Sequence, residues 1–156
     1  MPLSPGDKAP EFDLPTADGR VSLAGLKGKT VVLYFYPKDD TSGCTAEAQG
    51  FTAAAGDFAK AGATVVGVSK DSAASHGKFQ AKYGLDLTLG SAKDDDTVER
   101  YGAWIEKSMY GRKYMGIDRS TYLIDRDGVI RDVWRKVKVP GHVAEVLGKA
   151  KALAGA

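Results

Sequence analysis

The chain has 156 residues, 43% hydrophobic and 27% charged, with 22 basic against 20 acidic side chains. That balance suits one globular domain with a real core, and a formal net charge of +2 argues against nucleic acid or an anionic membrane as the main partner. No apolar run reaches the ~20 residues of a membrane span, and the N-terminal MPLSPGDKAPEF has no apolar signal core, so a cytoplasmic protein is expected.

Residues 1–29 read as turns and short extended pieces, because Pro2, Pro5, Pro10 and Pro15 break any helix. Thr30 to Tyr36, a continuous β-branched and aromatic run, predicts a strand covered on both faces. Phe51, Ala54, Ala55 and Phe58 stand at helical spacing within 43–61, closed by Gly62. Ala63 to Ser69 predicts a second buried strand. Asp71 or Ser72 caps a helix running to Tyr83 and ended by Gly84.

A short helix is expected from Asp94 to Tyr101, with Asp94, Asp95 and Asp96 as its solvated start. Thr121 to Asp125 and Val129 to Val137 predict strands joined at Asp127-Gly128, a hairpin signal. The alternation in RKVKV, 135–139, reads as the wet face of that strand. A final amphipathic helix spans 141–152. Strand, helix, strand, helix, hairpin, helix is the order of an α/β thioredoxin-like fold, a mixed central sheet with helices on both faces.

The tripeptide Gly28-Lys29-Thr30 resembles the end of a phosphate-binding loop. Leu23 stands where that loop needs glycine, and the segment enters a strand instead of a helix. His76 and His142 are far apart and without Cys or His at ligand spacing. A structural zinc site is not expected, and both histidines are placed on helix surfaces or at caps.

Cys44 is the one cysteine, which excludes an internal disulfide and fits a reducing compartment. It follows the buried strand and Pro37, in the first turn of a helix with Ser42 and Gly43 as candidate caps. Ala48, Phe51, Ala55 and Phe58 continue its stripe, so the sulfur faces inward. A free thiol of pKa ~8.5 is only about 3% thiolate at neutral pH, and the thiolate is the nucleophile. A helix N-terminus favours an anion by ~1–2 kcal/mol, which only partly offsets burial. A reactive Cys44 therefore needs a cation as well; otherwise it is a small buried hydrophobe.

Pro37-Lys38-Asp39-Asp40-Thr41-Ser42-Gly43-Cys44 fits the Pro-x-x-x-Thr-x-x-Cys signature of the peroxiredoxins. With VVGVSKDSAASHGKF, KSMYGRKYMGIDRSTYLID and WRKVKVPGH, nearly the whole chain resembles the bacterioferritin comigratory protein or peroxiredoxin Q subfamily. The resemblance implies a thiol peroxidase acting on hydrogen peroxide and organic hydroperoxides without a bound cofactor. In it Cys44 is the peroxidatic nucleophile and Arg119 the missing cation. Thr41 turns its hydroxyl to the peroxide, and Pro37 shields the sulfur. The backbone N–H groups of Gly43 and Cys44 resemble an anion nest. Glu47 either orients Arg119 or complements the helix dipole. Met109, Tyr110, Tyr114 and Met115 form either an apolar collar or ordinary loop packing.

The chain departs from the family at the resolving cysteine. Gln49 and Gln80 occupy the positions where relatives carry it, so a 1-Cys mechanism is expected. An outside thiol, from thioredoxin or from glutaredoxin with glutathione, resolves the sulfenic acid. A peroxide sensor that relays oxidation through a mixed disulfide is the alternative, using the same Cys44. Subfamily resemblance implies a monomer.

Overall fold

The computed structural model describes residues 3–155. Its centre is a five-stranded mixed sheet ordered β5-β4-β3-β8-β9: β3 is Thr30–Phe35, β4 Ala63–Ser69, β5 Thr88–Ser91, β8 Ser120–Ile124 and β9 Ile130–Trp134. The strands β3, β4 and β5 run parallel, while β8 and β9 are antiparallel additions. This is the thioredoxin-like arrangement that the element order predicts. β3 is buried along its whole length, as a strand covered on both faces must be.

The two faces carry separate cores. Val32, Tyr34 and Tyr36 pack with Phe51, Phe58, Phe79, Val146 and Ala150 from α1 (Ser42–Ala53), α2 (Ala55–Lys60), α3 (Ala73–Tyr83) and α5 (His142–Ala154). Val31, Leu33 and Phe35 pack on the other side with Leu14 and Val21 of a small hairpin, β1 (Asp13–Thr16) and β2 (Gly19–Ser22), and with Val98 of α4 (Thr97–Arg100). Four helices thus cover one face, and a hairpin with one short helix covers the other.

Gly67 in β4 fixes how these layers meet. A Cβ there would lie 2.7 Å from the Tyr34 ring and 2.9 Å from Leu89, so only glycine lets the ring cross the strand.

Several expected boundaries change. The helix expected over 43–61 is two helices, interrupted at Ala54, which has φ −94° and ψ 1°. The strand expected over 129–137 stops at Trp134, and Lys136 takes a positive φ of 47°. RKVKV is therefore not a strand face, and its alternation is accidental to the sheet. The short helix of 94–101 contracts to Thr97–Arg100, although Asp95 does accept from the Thr97 N–H at 2.7 Å. Three further strands went unpredicted: β5 at the edge of the sheet, and β6 (Trp104–Met109) and β7 (Arg112–Ile117), which form an antiparallel hairpin that feeds the chain into β8.

Candidate active site

The loop 36–41 leaves the C-terminal end of β3 and enters α1, and ligand sites of open α/β sheets gather at such strand ends. Thr41, rather than Ser42 or Gly43, is the N-cap, but its side chain caps nothing in the helix. Its hydroxyl donates instead to the Lys38 carbonyl at 2.8 Å. The first helical bond runs from the Thr45 N–H to the Thr41 carbonyl at 2.8 Å. The N–H groups of Ser42, Gly43 and Cys44 therefore have no intrahelical acceptor and give the helix start its positive character.

Cys44 is 1% exposed and faces inward with Glu47, Ala48 and Phe51. Arg119 sits between β7 and β8, and its carbonyl is held by the Val137 N–H at 2.9 Å. Its Nη2 donates to Cys44 Sγ at 3.2 Å, and its Nη1 donates to Glu47 Oε1 at 2.7 Å. The three residues meet across more than seventy positions of sequence because β8 pairs with β3. Gly43 makes room for them: a Cβ there would stand 3.2 Å from Arg119 Nη2.

One cation thus faces two acids. Glu47 is wholly buried, and its Oε2 has no hydrogen-bond partner. Burial pushes its carboxyl up to about 7, against the charge and hydrogen bond of Arg119, which pull it down. Desolvation works against the Arg119 cation too, yet Glu47 and Cys44 together hold its pKa above the ordinary value. A guanidinium that stays charged places a positive charge beside the sulfur. The unpaired N–H groups of the helix start act in the same direction.

The structure brings Cys44, Arg119, Glu47 and Gly43 together. Thr41 and Pro37 belong to the same loop but lie on its exposed rim. Gln49 is on the outer surface of α1, and Gln80 donates to the Leu87 carbonyl at 2.8 Å. The side chains expected as collar or loop packing lie largely in solvent. Met109, Tyr110, Tyr114 and Met115 stand 44–99% exposed on the β6–β7 hairpin.

Both histidine placements are corrected. His76 is 0% and His142 4% exposed. His142 shares a hydrogen bond with Thr121 Oγ1 at 2.8 Å and packs edge-on against Phe51 and Trp134, and burial lowers its pKa. Sequence reasoning also missed Asp39, whose side chain is buried although it sits among loop residues. Its one sequence signal is a doubled Asp inside the Pro37–Thr41 segment.

A thiol with a guanidinium donor and no second cysteine, set at the strand ends of a thioredoxin-like sheet, defines a class: thiol-based redox enzymes that do not exchange internal disulfides. The chain belongs to the AhpC/TSA family, which it matches over residues 5–133, and it is a peroxiredoxin enzyme of the Bcp and peroxiredoxin Q kind. A Coxiella burnetii relative named as a peroxiredoxin, Bcp, is 55% identical over 150 residues, 96% of this chain and 99% of that one. Peroxiredoxin Bcp of Bacillus subtilis is 45% identical, covering 97% of each chain. The solved structure of the bacterioferritin comigratory protein of Xanthomonas campestris, a protein described by its alkyl peroxide reduction activity, superposes with a TM-score of 0.88 at 40% identity. That match covers 99% of this chain and 98% of the other.

Proposed function

We propose that this chain is a 1-Cys thiol peroxidase in which Cys44 is the peroxidatic nucleophile. The contact that carries the reading is Arg119 Nη2 on Cys44 Sγ at 3.2 Å. The thiolate attacks the terminal oxygen of a hydroperoxide; the S–O bond forms as the O–O bond breaks. The departing oxygen takes up a proton and leaves as water or an alcohol, and Cys44 becomes a sulfenic acid. Arg119 stabilises the sulfur anion first and then the charge growing on the departing oxygen. Glu47 holds the guanidinium in place through its 2.7 Å contact.

Thr41 has a more defined part than its residue type alone implies. Its proton is directed to the Lys38 carbonyl, so its lone pairs accept from the O–H of the peroxide. Pro37 forms the rim and offers no N–H to competing water. The Gly43 and Cys44 N–H groups complete the anion-stabilising start of α1.

Cys44 is the only cysteine of the sequence. An external thiol therefore condenses with the sulfenic acid, releasing water and forming a mixed disulfide, and a second thiol restores Cys44 and departs as a disulfide. Thioredoxin, or glutaredoxin with glutathione, supplies these thiols. No described helix is long and apolar enough to cross a membrane. Residues 1–156 act as a single cytoplasmic, monomeric domain in this reading.

The test is steady-state peroxide consumption coupled to reductant oxidation, with each thiol system supplied in turn. Sustained turnover with at least one of them is expected, and none with Cys44→Ser. A single oxidation of Cys44 without turnover in any system would favour the sensor instead.

A further inference from the structure

Asp39 is gripped on every polar atom of its side chain. Oδ1 accepts from the Tyr36 hydroxyl at 2.5 Å, and Oδ2 accepts from the Ser75 hydroxyl at 2.8 Å and faces His76 Nδ1 at 2.7 Å. The other ring nitrogen of His76, Nε2, lies 3.1 Å from the Gly90 carbonyl of β5. Nδ1 also faces the Tyr36 oxygen at 3.2 Å, whose own proton is directed to Asp39. Both ring nitrogens of the fully buried His76 thus meet acceptors, contacts that a doubly protonated ring facing the Asp39 carboxylate would satisfy at once.

Asp39 fits the role of its counter-ion. Burial pushes its carboxyl up, but hydrogen bonds from His76, Tyr36 and Ser75, with the charge on His76, outweigh that and hold it below the usual carboxylate range. Asp39, Asp71 and His76 bring ligand-type atoms within 4.8 Å of one another. Those atoms are engaged with each other and with Tyr36, Ser69 and Ser75, so the group is held together by its own hydrogen bonds.

The Lys38–Asp39 peptide joins this group to the reaction. Its N–H, on Asp39, donates to Asp71 Oδ2 at 2.8 Å, and its C=O, on Lys38, accepts the Thr41 hydroxyl at 2.8 Å. A rigid peptide plane therefore has the buried cluster on one edge and the Thr41 hydroxyl on the other. Asp40, next along, holds a left-handed φ of 60° and is tied to α3 by Lys82 and Tyr83.

We propose that the Asp39–His76 ion pair, with Asp71, is a positioning device for peroxide reduction. It fixes the Lys38–Asp39 peptide plane so that Thr41 spends its proton on the Lys38 carbonyl and presents only lone pairs to the hydroperoxide. The proposal rests on the role of Thr41 given above. Asp39, Asp71 and His76 touch neither sulfur nor substrate and act through Thr41.

Two measurements on the full chain test it. Nitrogen NMR of the histidines should show both ring nitrogens of His76 protonated in the reduced protein; a neutral tautomer with one bare nitrogen overturns the ion pair. The rate of Cys44 oxidation by hydrogen peroxide is then measured for wild type, Asp39→Asn, Thr41→Val and the double variant, with melting temperatures alongside. Displacing a reacting group by about 1 Å costs up to about a hundredfold, so Asp39→Asn should slow the reaction by about tenfold or more. The double variant should be no slower than Thr41→Val alone. Losses that multiply in the double variant would overturn the proposal, as would an unchanged rate in Asp39→Asn. If Asp39→Asn fails to fold, Asp71→Asn enters the same cycle in its place. A wild-type Cys44 inert to peroxide would instead sink the peroxidase reading, while the ring nitrogens of His76 still report on the ion pair separately.

Discussion

At the residue scale the site is a sharing problem: Arg119 places one guanidinium nitrogen on Cys44 and the other on Glu47. Its planar fork reaches both acids at once, which a lysine ammonium on a single flexible stem does not. Replacing Arg119 with Lys should therefore keep the positive charge but lose the division of contacts. Loss of one preorganised donor costs about a hundredfold or more in rate. Stopped-flow oxidation of Cys44 in Arg119→Lys, at saturating pH for the thiolate, is expected to fall by that order. An unchanged rate would show that charge alone suffices and that the fork geometry is irrelevant.

At the scale of elements, β4 and β3 pair beneath the site, and Gly67 stands opposite Tyr34 in their register. A methyl group at Gly67 would press on the Tyr34 ring at 2.7 Å, and that ring is 1% exposed with no room to retreat. Gly67→Ala should cost ~1–3 kcal/mol, the usual range for overpacking a filled core. Urea unfolding of the variant measures it, and a midpoint equal to wild type would refute the packing argument.

The elements also show what was legible in the sequence. β3, β4 and α3 were readable because their signals are local: unbroken β-branched runs, Ser72 accepting from the Ser75 N–H, and Gly84 in the left-handed region at the helix end. The β6–β7 hairpin was not. Its two-residue turn is Tyr110-Gly111, with φ of 52° and 77°, a conformation that Asn-Gly usually announces and tyrosine does not. The break at Ala54 falls on the best helix former, so no residue marks it. Cys44, Thr41 and Arg119 were legible through the motif and the resemblance. The burial of Glu47, Asp39 and His76 was not, because charged side chains go inside only when distant elements bring partners, and sequence spacing does not display those meetings.

Across the whole molecule, burying Glu47 links stability to pH. Its carboxyl rises from the ordinary 4.5 to about 7 in the folded state. Between those values the native state holds a proton that the unfolded chain has released. The Glu47 contribution to stability is therefore greatest below about 4.5 and falls as pH rises toward about 7, by an amount on the order of a few kcal/mol. His142 opposes this near its own titration, because burial lowers its pKa and stability there rises with pH. Comparing wild type with Glu47→Gln cancels the His142 contribution. The urea midpoint of wild type should drop more between pH 5 and pH 8 than that of Glu47→Gln, with the pH interval chosen to bracket the titration. Parallel pH profiles would mean that Glu47 stays ionised with Arg119 throughout.

The reactivity of one buried sulfur decides the function, and intact mass after one equivalent of hydrogen peroxide, with and without a sulfenic-acid trap, tests it most directly. Wild type should gain a single trap adduct rapidly, and Cys44→Ser should gain none. A Cys44 that remains a free thiol under the same exposure would contradict the peroxidatic assignment and leave Arg119 as a structural partner of Glu47 alone.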